Sequence, residues 1–202
     1  MQLGDTIELT DGHGYLYKAF INEADPKKCH FTISEKREIP LQDFAISIAV
    51  APTKNMDRIE WFIEKAVEIG IDKIHLLLCK NSERKIVNLD RLTKIAVSAM
   101  KQSGQARLPY ISEMVPFKEI VSLKVAQKFI CYVDASNPDQ LKTLAKPQQS
   151  YLVLIGPEGD FNKDEIQLAI EHGFKKVSLG PNRLRTETAA LTACQILNFV
   201  NL

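Results

Sequence analysis

The chain has 202 residues, 45% of them hydrophobic and 25% charged, with 26 Lys and Arg against 25 Asp and Glu. That length and balance suit a globular protein of one domain, or one domain with a small appendage, and argue against a strongly basic nucleic-acid-binding chain. There is no apolar run long enough for a membrane span, and Met1-Gln2-Leu3-Gly4-Asp5 lacks the character of a secretory signal, so a cytoplasmic protein is expected.

The first elements read as β-structure. Thr6-Ile7-Glu8-Leu9-Thr10 alternates polar and apolar residues, and Asp11-Gly12-His13-Gly14 reads as a tight turn. Strand-like runs follow at 15–21 and 30–33, which predicts a β-meander. Such a meander is too small to bury its own core. It either docks on the rest of the chain or belongs to a domain whose start is missing.

From about residue 45 the pattern changes to alternating strands and helices. A short apolar strand is expected at 46–50, and Asn55 caps a helix with Ile59, Phe62, Ile63, Ala66 and Val67 at helical spacing, ended by Gly70. A buried strand is expected at 74–79. Asn88 then caps a second helix carrying Leu92, Ile95, Ala96, Ala99 and Met100, stopped at Gly104. Further strands are read at 129–133, 151–155 and 176–179. Asn162-Lys163-Asp164-Glu165 opens a helix ended by Gly173, and a last helix starts near Thr186. Repeated strand–helix units predict an α/β fold with a parallel sheet covered on both faces.

Charge and cysteine placement narrow the chemistry. Between Lys80 and Arg107 seven cations stand against two anions, a segment suited either to phosphate contacts or to a solvated helix face. Cys29, Cys79, Cys131 and Cys194 are scattered, as are the four histidines, so no metal site is expected and most of the thiols read as small buried hydrophobes.

In a parallel sheet ligands bind beyond the carboxyl ends of strands, which points to the loops after Val133, Ile155 and Leu179, the last two being rich in chemistry. Of those two, the first reads Gly156-Pro157-Glu158-Gly159-Asp160-Phe161, with glycines that admit close backbone approach and an acid between them. The second reads Gly180-Pro181-Asn182-Arg183-Leu184-Arg185-Thr186-Glu187-Thr188 and crowds arginines, an acid and threonines at a helix start. Glu158 is equally readable as an exposed turn residue, Thr186 and Thr188 as caps, and Glu187 as a complement to the helix dipole. Neither G-x-G-x-x-G, nor G-x-x-x-x-G-K-[ST], nor G-x-S-x-G follows any strand, so dinucleotide, P-loop and nucleophile-elbow readings lack support.

These two loops resemble the paired C-terminal motifs of the ribosomal small-subunit RNA uridine-N3 methyltransferases of the SPOUT superfamily. Leu154-Ile155-Gly156-Pro157-Glu158-Gly159 matches one motif, and Leu179-Gly180 with Arg183-Leu184-Arg185-Thr186-Glu187-Thr188-Ala189 matches the other. Arg58-Ile59-Glu60-Trp61-Phe62-Ile63-Glu64-Lys65-Ala66 resembles the family's first helix, and Gln102-Ser103-Gly104 with Leu108-Pro109 a further segment. Asp160 departs from the pattern, which commonly has Gly there.

The resemblance implies a SPOUT-type parallel sheet with a C-terminal trefoil knot over residues 43–202. It implies part of a small PUA-like β-barrel domain, RNA-binding and truncated at its start, over residues 1–42. The implied activity is transfer of a methyl group from S-adenosyl-L-methionine to N3 of a uridine in 16S rRNA, free or in the assembled small ribosomal subunit. Ile155, Gly156, Leu179, Gly180 and Leu184 would hold the cofactor, with the loop Val133-Asp134-Ala135 as a third wall. Arg185 would stabilise negative charge on the base, and Glu158, or else Glu187, would take the proton. A homodimer is implied, with Leu191, Ile196, Leu197, Phe199 and Val200 of the last helix as one possible interface and ordinary core as the other reading. Methylation of another rRNA or tRNA position, and a non-catalytic RNA-binding assembly factor, are the competing readings.

Overall fold

The computed structural model describes residues 1–132 and 139–202. An antiparallel meander of β1 (Thr6–Thr10), β2 (Tyr15–Ala24) and β3 (Cys29–Glu38) comes first. The strands are longer than the apolar runs alone suggested, because β3 continues through the polar residues up to Glu38. Every residue of β3 is exposed, and only Ala19 and Ile21 of β2 are fully covered.

The meander docks through its first turn. Gly14 N–H donates to the Ala106 carbonyl at 2.8 Å, and Leu108 N–H to the Gly12 carbonyl at 2.9 Å. Arg107 reaches over this junction, donating to the carbonyls of His13 and Ile39, both at 2.8 Å. Gly14 has φ +107, a conformation that favours glycine, and its missing side chain leaves room for the Arg107 guanidinium.

The second sheet is parallel, in the order β6-β5-β4-β8-β7-β9. Its strands are β4 (Ala45–Val50), β5 (Lys73–Leu78), β6 (Tyr110–Pro116), β7 (Gln127–Cys131), β8 (Ser150–Ile155) and β9 (Lys175–Val177). The period-2 alternation of β8 shows how both faces fill. Tyr151, Val153 and Ile155 join one core with α1 (Met56–Glu68), α2 (Leu89–Gln102) and α6 (Thr186–Val200). Leu152 and Leu154 join the opposite core with α3 (Phe117–Val121) and α5 (Lys163–Glu171). A four-residue helix α4 (Leu141–Leu144) precedes β8.

The expected helix starts are present. Asn55 and Asn88 accept hydrogen bonds from Asp57 and Arg91 N–H, and Asn162 forms a full capping box with Glu165. β6 and α3 were not foreseen. The pattern in β6 is broken by a bulge: Ser112 and Glu113 face the single residue His75, and the buried Ser112 hydroxyl accepts Leu76 N–H at 3.0 Å.

Candidate active site

β4 and β8 are neighbours whose chains leave in opposite directions, toward β5 on one side and β9 on the other. The crevice at this switch point is where α/β sheets place ligands. A cavity of about 690 Å³ lies beside it, on the β7–β8–β9 side, bounded by Cys131 at the end of β7, Ile155 at the end of β8 and Val177 at the end of β9. The loops 156–160 and 178–185 complete its walls. All five residues expected to hold a cofactor, Ile155, Gly156, Leu179, Gly180 and Leu184, line it. The loop Val133-Asp134-Ala135 lies outside the described residues.

Local chemistry explains the two loops. Gly156 packs so closely that a Cβ would meet the Phe161 ring at 3.2 Å. Gly180 has φ +137, a left-handed conformation that favours glycine, and the Ser178 hydroxyl staples the turn by donating to Gly180 O at 2.9 Å. Asp160 also stands at positive φ (+61), a conformation open to Asp as well as Gly; its own carboxylate accepts Phe161 N–H at 2.8 Å.

Neighbouring loops lock the rim. The Glu158 carboxylate accepts Lys54 N–H at 3.0 Å, and Arg84 donates to Lys54 O at 2.7 Å. Asn81 donates to Asp160 O at 3.1 Å, and the buried Glu165 carboxylate accepts Lys80 N–H at 2.8 Å. The basic segment therefore divides its charge. Arg84, Arg91 and Arg107 are committed to partners within the chain, while Lys80, Lys85, Lys94 and Lys101 are exposed.

Arg185 and Glu158 both line the cavity and both are exposed. Thr186 does not cap α6 with its side chain; its hydroxyl donates instead to the Gly156 carbonyl at 3.1 Å, tying the two motif loops together. Glu187 is buried in the first turn of α6 with Oε1 3.9 Å from Arg58 Nε. Among the described residues its buried Oε2 has no hydrogen-bond partner. Sequence reading ranked Glu187 second and gave Arg58 no role, since only the packing of α1 on α6 brings the two together. Burial pushes the thiol of Cys131, half-buried in the cavity wall, upward and so favours its neutral form.

Residues 40–198 match the RNA methyltransferase domain family. The chain belongs to this family. It is 28% identical to the ribosomal RNA small subunit methyltransferase E of Rickettsia conorii, over 96% of this chain and 80% of that protein. A crystal structure of a probable rRNA-methyltransferase from Porphyromonas gingivalis is 42% identical with a TM-score of 0.93, covering 100% of this chain and 87% of that one. The ribosomal RNA small subunit methyltransferase E of Neisseria gonorrhoeae, solved bound to S-adenosyl methionine, is 26% identical with a TM-score of 0.88, covering 100% and 85%. Both motif loops of the cavity fall inside the family match.

Proposed function

We propose that this chain transfers a methyl group from S-adenosyl-L-methionine to N3 of a uridine in 16S rRNA of the small ribosomal subunit. The observation that carries the reading is the cavity at the carboxyl ends of β7, β8 and β9, walled by both family motifs. Its volume, about 690 Å³, and its walls, in which Ile155, Val177, Leu179 and Leu184 stand beside charged and polar side chains, suit a nucleoside-sized cofactor. The S-adenosyl methionine in the relative from Neisseria gonorrhoeae supports the same choice.

Ile155, Leu179 and Leu184 are assigned to the adenine, with Gly156 and Gly180 letting backbone approach its edge. When bound, the cofactor supplies a methyl group on a positively charged sulfur. Uridine N3 must lose its proton for attack, which puts negative charge on the flanking carbonyl oxygens. Arg185, at the cavity mouth, is assigned to stabilise that charge. The proton acceptor is a carboxylate of the wall, Glu158 or Glu187. Positioning and charge do most of such work.

The reading extends to topology and partners. β9 lies at the sheet edge while α6 returns to pack on α1, β4 and β8, a route that supports a trefoil knot within residues 43–202. The meander of residues 1–42 is assigned to a PUA-like RNA-binding domain, and the exposed lysines between 80 and 101 to phosphates. A homodimer is assigned to the outer face of α6, where Phe199 is 64% exposed; Leu197 is wholly buried and belongs to the core instead. Among the described residues no helix is long and apolar enough to cross a membrane. Labelled methyl transfer to small subunits lacking the modification tests the reading. Turnover in Arg185→Ala and Glu158→Gln tests the roles, and near-wild-type rates would remove either residue from the mechanism.

A further inference from the structure

A buried carboxylate oxygen without a donor calls for a ligand or water to supply one, and among the described residues Glu187 Oε2 has none. The Glu187 side chain is 9% exposed, with its other oxygen in a 3.9 Å ion pair with Arg58 Nε. Arg58 and Glu187 line the main cavity, and they also line a second one of about 290 Å³ whose remaining walls are Asp57, Trp61 and Thr188. Glu187 thus stands at the junction of both spaces. Trp61 lies off the buried stripe of α1, which is Ile59, Phe62, Ile63, Ala66 and Val67, and is 43% exposed. A planar indole beside a carboxylate acceptor suits an unstacked nucleobase, the ring for its face and the acceptor for a ring N–H. Uracil presents an N–H at N3, whereas cytosine presents a lone pair there, so the carboxylate discriminates between them.

We infer that the cavity between α1 and the start of α6 seats the target uracil, stacked on Trp61, with Glu187 Oε2 accepting its N3–H. The inference rests on the reading of the chain as a uridine-N3 methyltransferase. In the transfer, the N3 proton passes to Glu187, and the electron pair left on N3 forms the bond to the methyl carbon. The electrons of the carbon–sulfur bond return to sulfur, leaving a neutral thioether, and Glu187 releases its proton to water. Arg58, 3.9 Å from Oε1, is the positioning residue that keeps the carboxylate charged and turned toward α1.

Trp61 is the one tryptophan of the chain, so its fluorescence reports this seat directly. Titration with single-stranded oligouridylate in the presence of S-adenosylhomocysteine should quench it, with oligocytidylate weaker by about tenfold or more. Trp61→Ala should raise KM for RNA about tenfold without changing cofactor affinity, and Trp61→Phe should restore most of it. Glu187→Gln should erase the uridine preference, lower kcat by about a hundredfold or more, and abolish the acid limb of the pH–rate profile. Quenching in a chain that places no methyl group at N3 would leave the seat standing and remove the proposed function. A chain that methylates uridine without any quenching, as when a second copy covers Trp61, would overturn the inference, as would wild-type kcat in Glu187→Gln.

Discussion

Glu165→Ala should loosen the rim of the cavity while leaving its lining residues untouched. The Glu165 carboxylate accepts Lys80 N–H at 2.8 Å and Asn162 N–H at 3.0 Å, while its own N–H goes to the Asn162 side chain at 2.8 Å. A hydrogen bond to a charged group contributes roughly 1.5–3 kcal/mol. Lys80 is exposed, so water replaces part of its bond, and the total loss is about 2–4 kcal/mol. For a chain of this length that corresponds to a fall in Tm of about 4–16 °C. Glu165→Gln keeps one acceptor oxygen and should lose about half as much. Differential scanning calorimetry reads the stability, and titration calorimetry with S-adenosylmethionine should show weaker binding in Glu165→Ala, since α5 follows directly on the loop 156–160. A Tm within about 2 °C of wild type would refute the claim that this carboxylate holds the rim.

Other perturbations test the remaining parts. Arg107→Ala removes two of the hydrogen bonds that clasp the meander and leaves the backbone pairs Gly14–Ala106 and Gly12–Leu108, so limited proteolysis should cut within residues 1–42 faster than in wild type and before the parallel sheet is attacked; unchanged digestion would contradict a role for Arg107 in the clasp. Burial, aided by Lys73, pushes the His75 imidazole below its ordinary 6.5, so the fold holds it neutral. Its contribution is complete above that value and drains away as pH falls from about 6.5 toward the lower folded value, so the urea midpoint should decline there in wild type and less in His75→Gln. Burial raises the Cys79 and Cys131 thiols and pushes Cys194 up to about 12, whereas Cys29 is exposed. Brief maleimide treatment of the native protein should therefore label Cys29 and leave Cys79 and Cys194 unmodified, and adducts at those two would contradict the described packing.

Much of this molecule is written locally. Asn55, Asn88 and Asn162 announce helix starts because a short polar side chain satisfies free N–H groups without help from the rest of the fold. The loops after β8 and β9 stood out for similar reasons: glycines beside charged residues at strand ends. β6 was hidden because Ser112 and Glu113 interrupt its alternation, and only pairing with β5 turns them into a bulge. The same limit applied to the site. Glu187 looked like a dipole-compensating residue, and its burial against Arg58 depends on α6 returning to α1, which no local pattern encodes. Glu158 looked central in its motif, yet the structure shows it exposed and hydrogen-bonded to Lys54 N–H.

The most direct measurement is methyl transfer from labelled S-adenosylmethionine to small ribosomal subunits prepared without the modification, followed by mass spectrometry of the nucleosides. N3-methyluridine at one position of 16S rRNA, formed by wild type and lost when Arg185 is replaced, is the predicted result. Label in transfer RNA or on a ribose alone, or none at all from a chain that binds the cofactor, would contradict it.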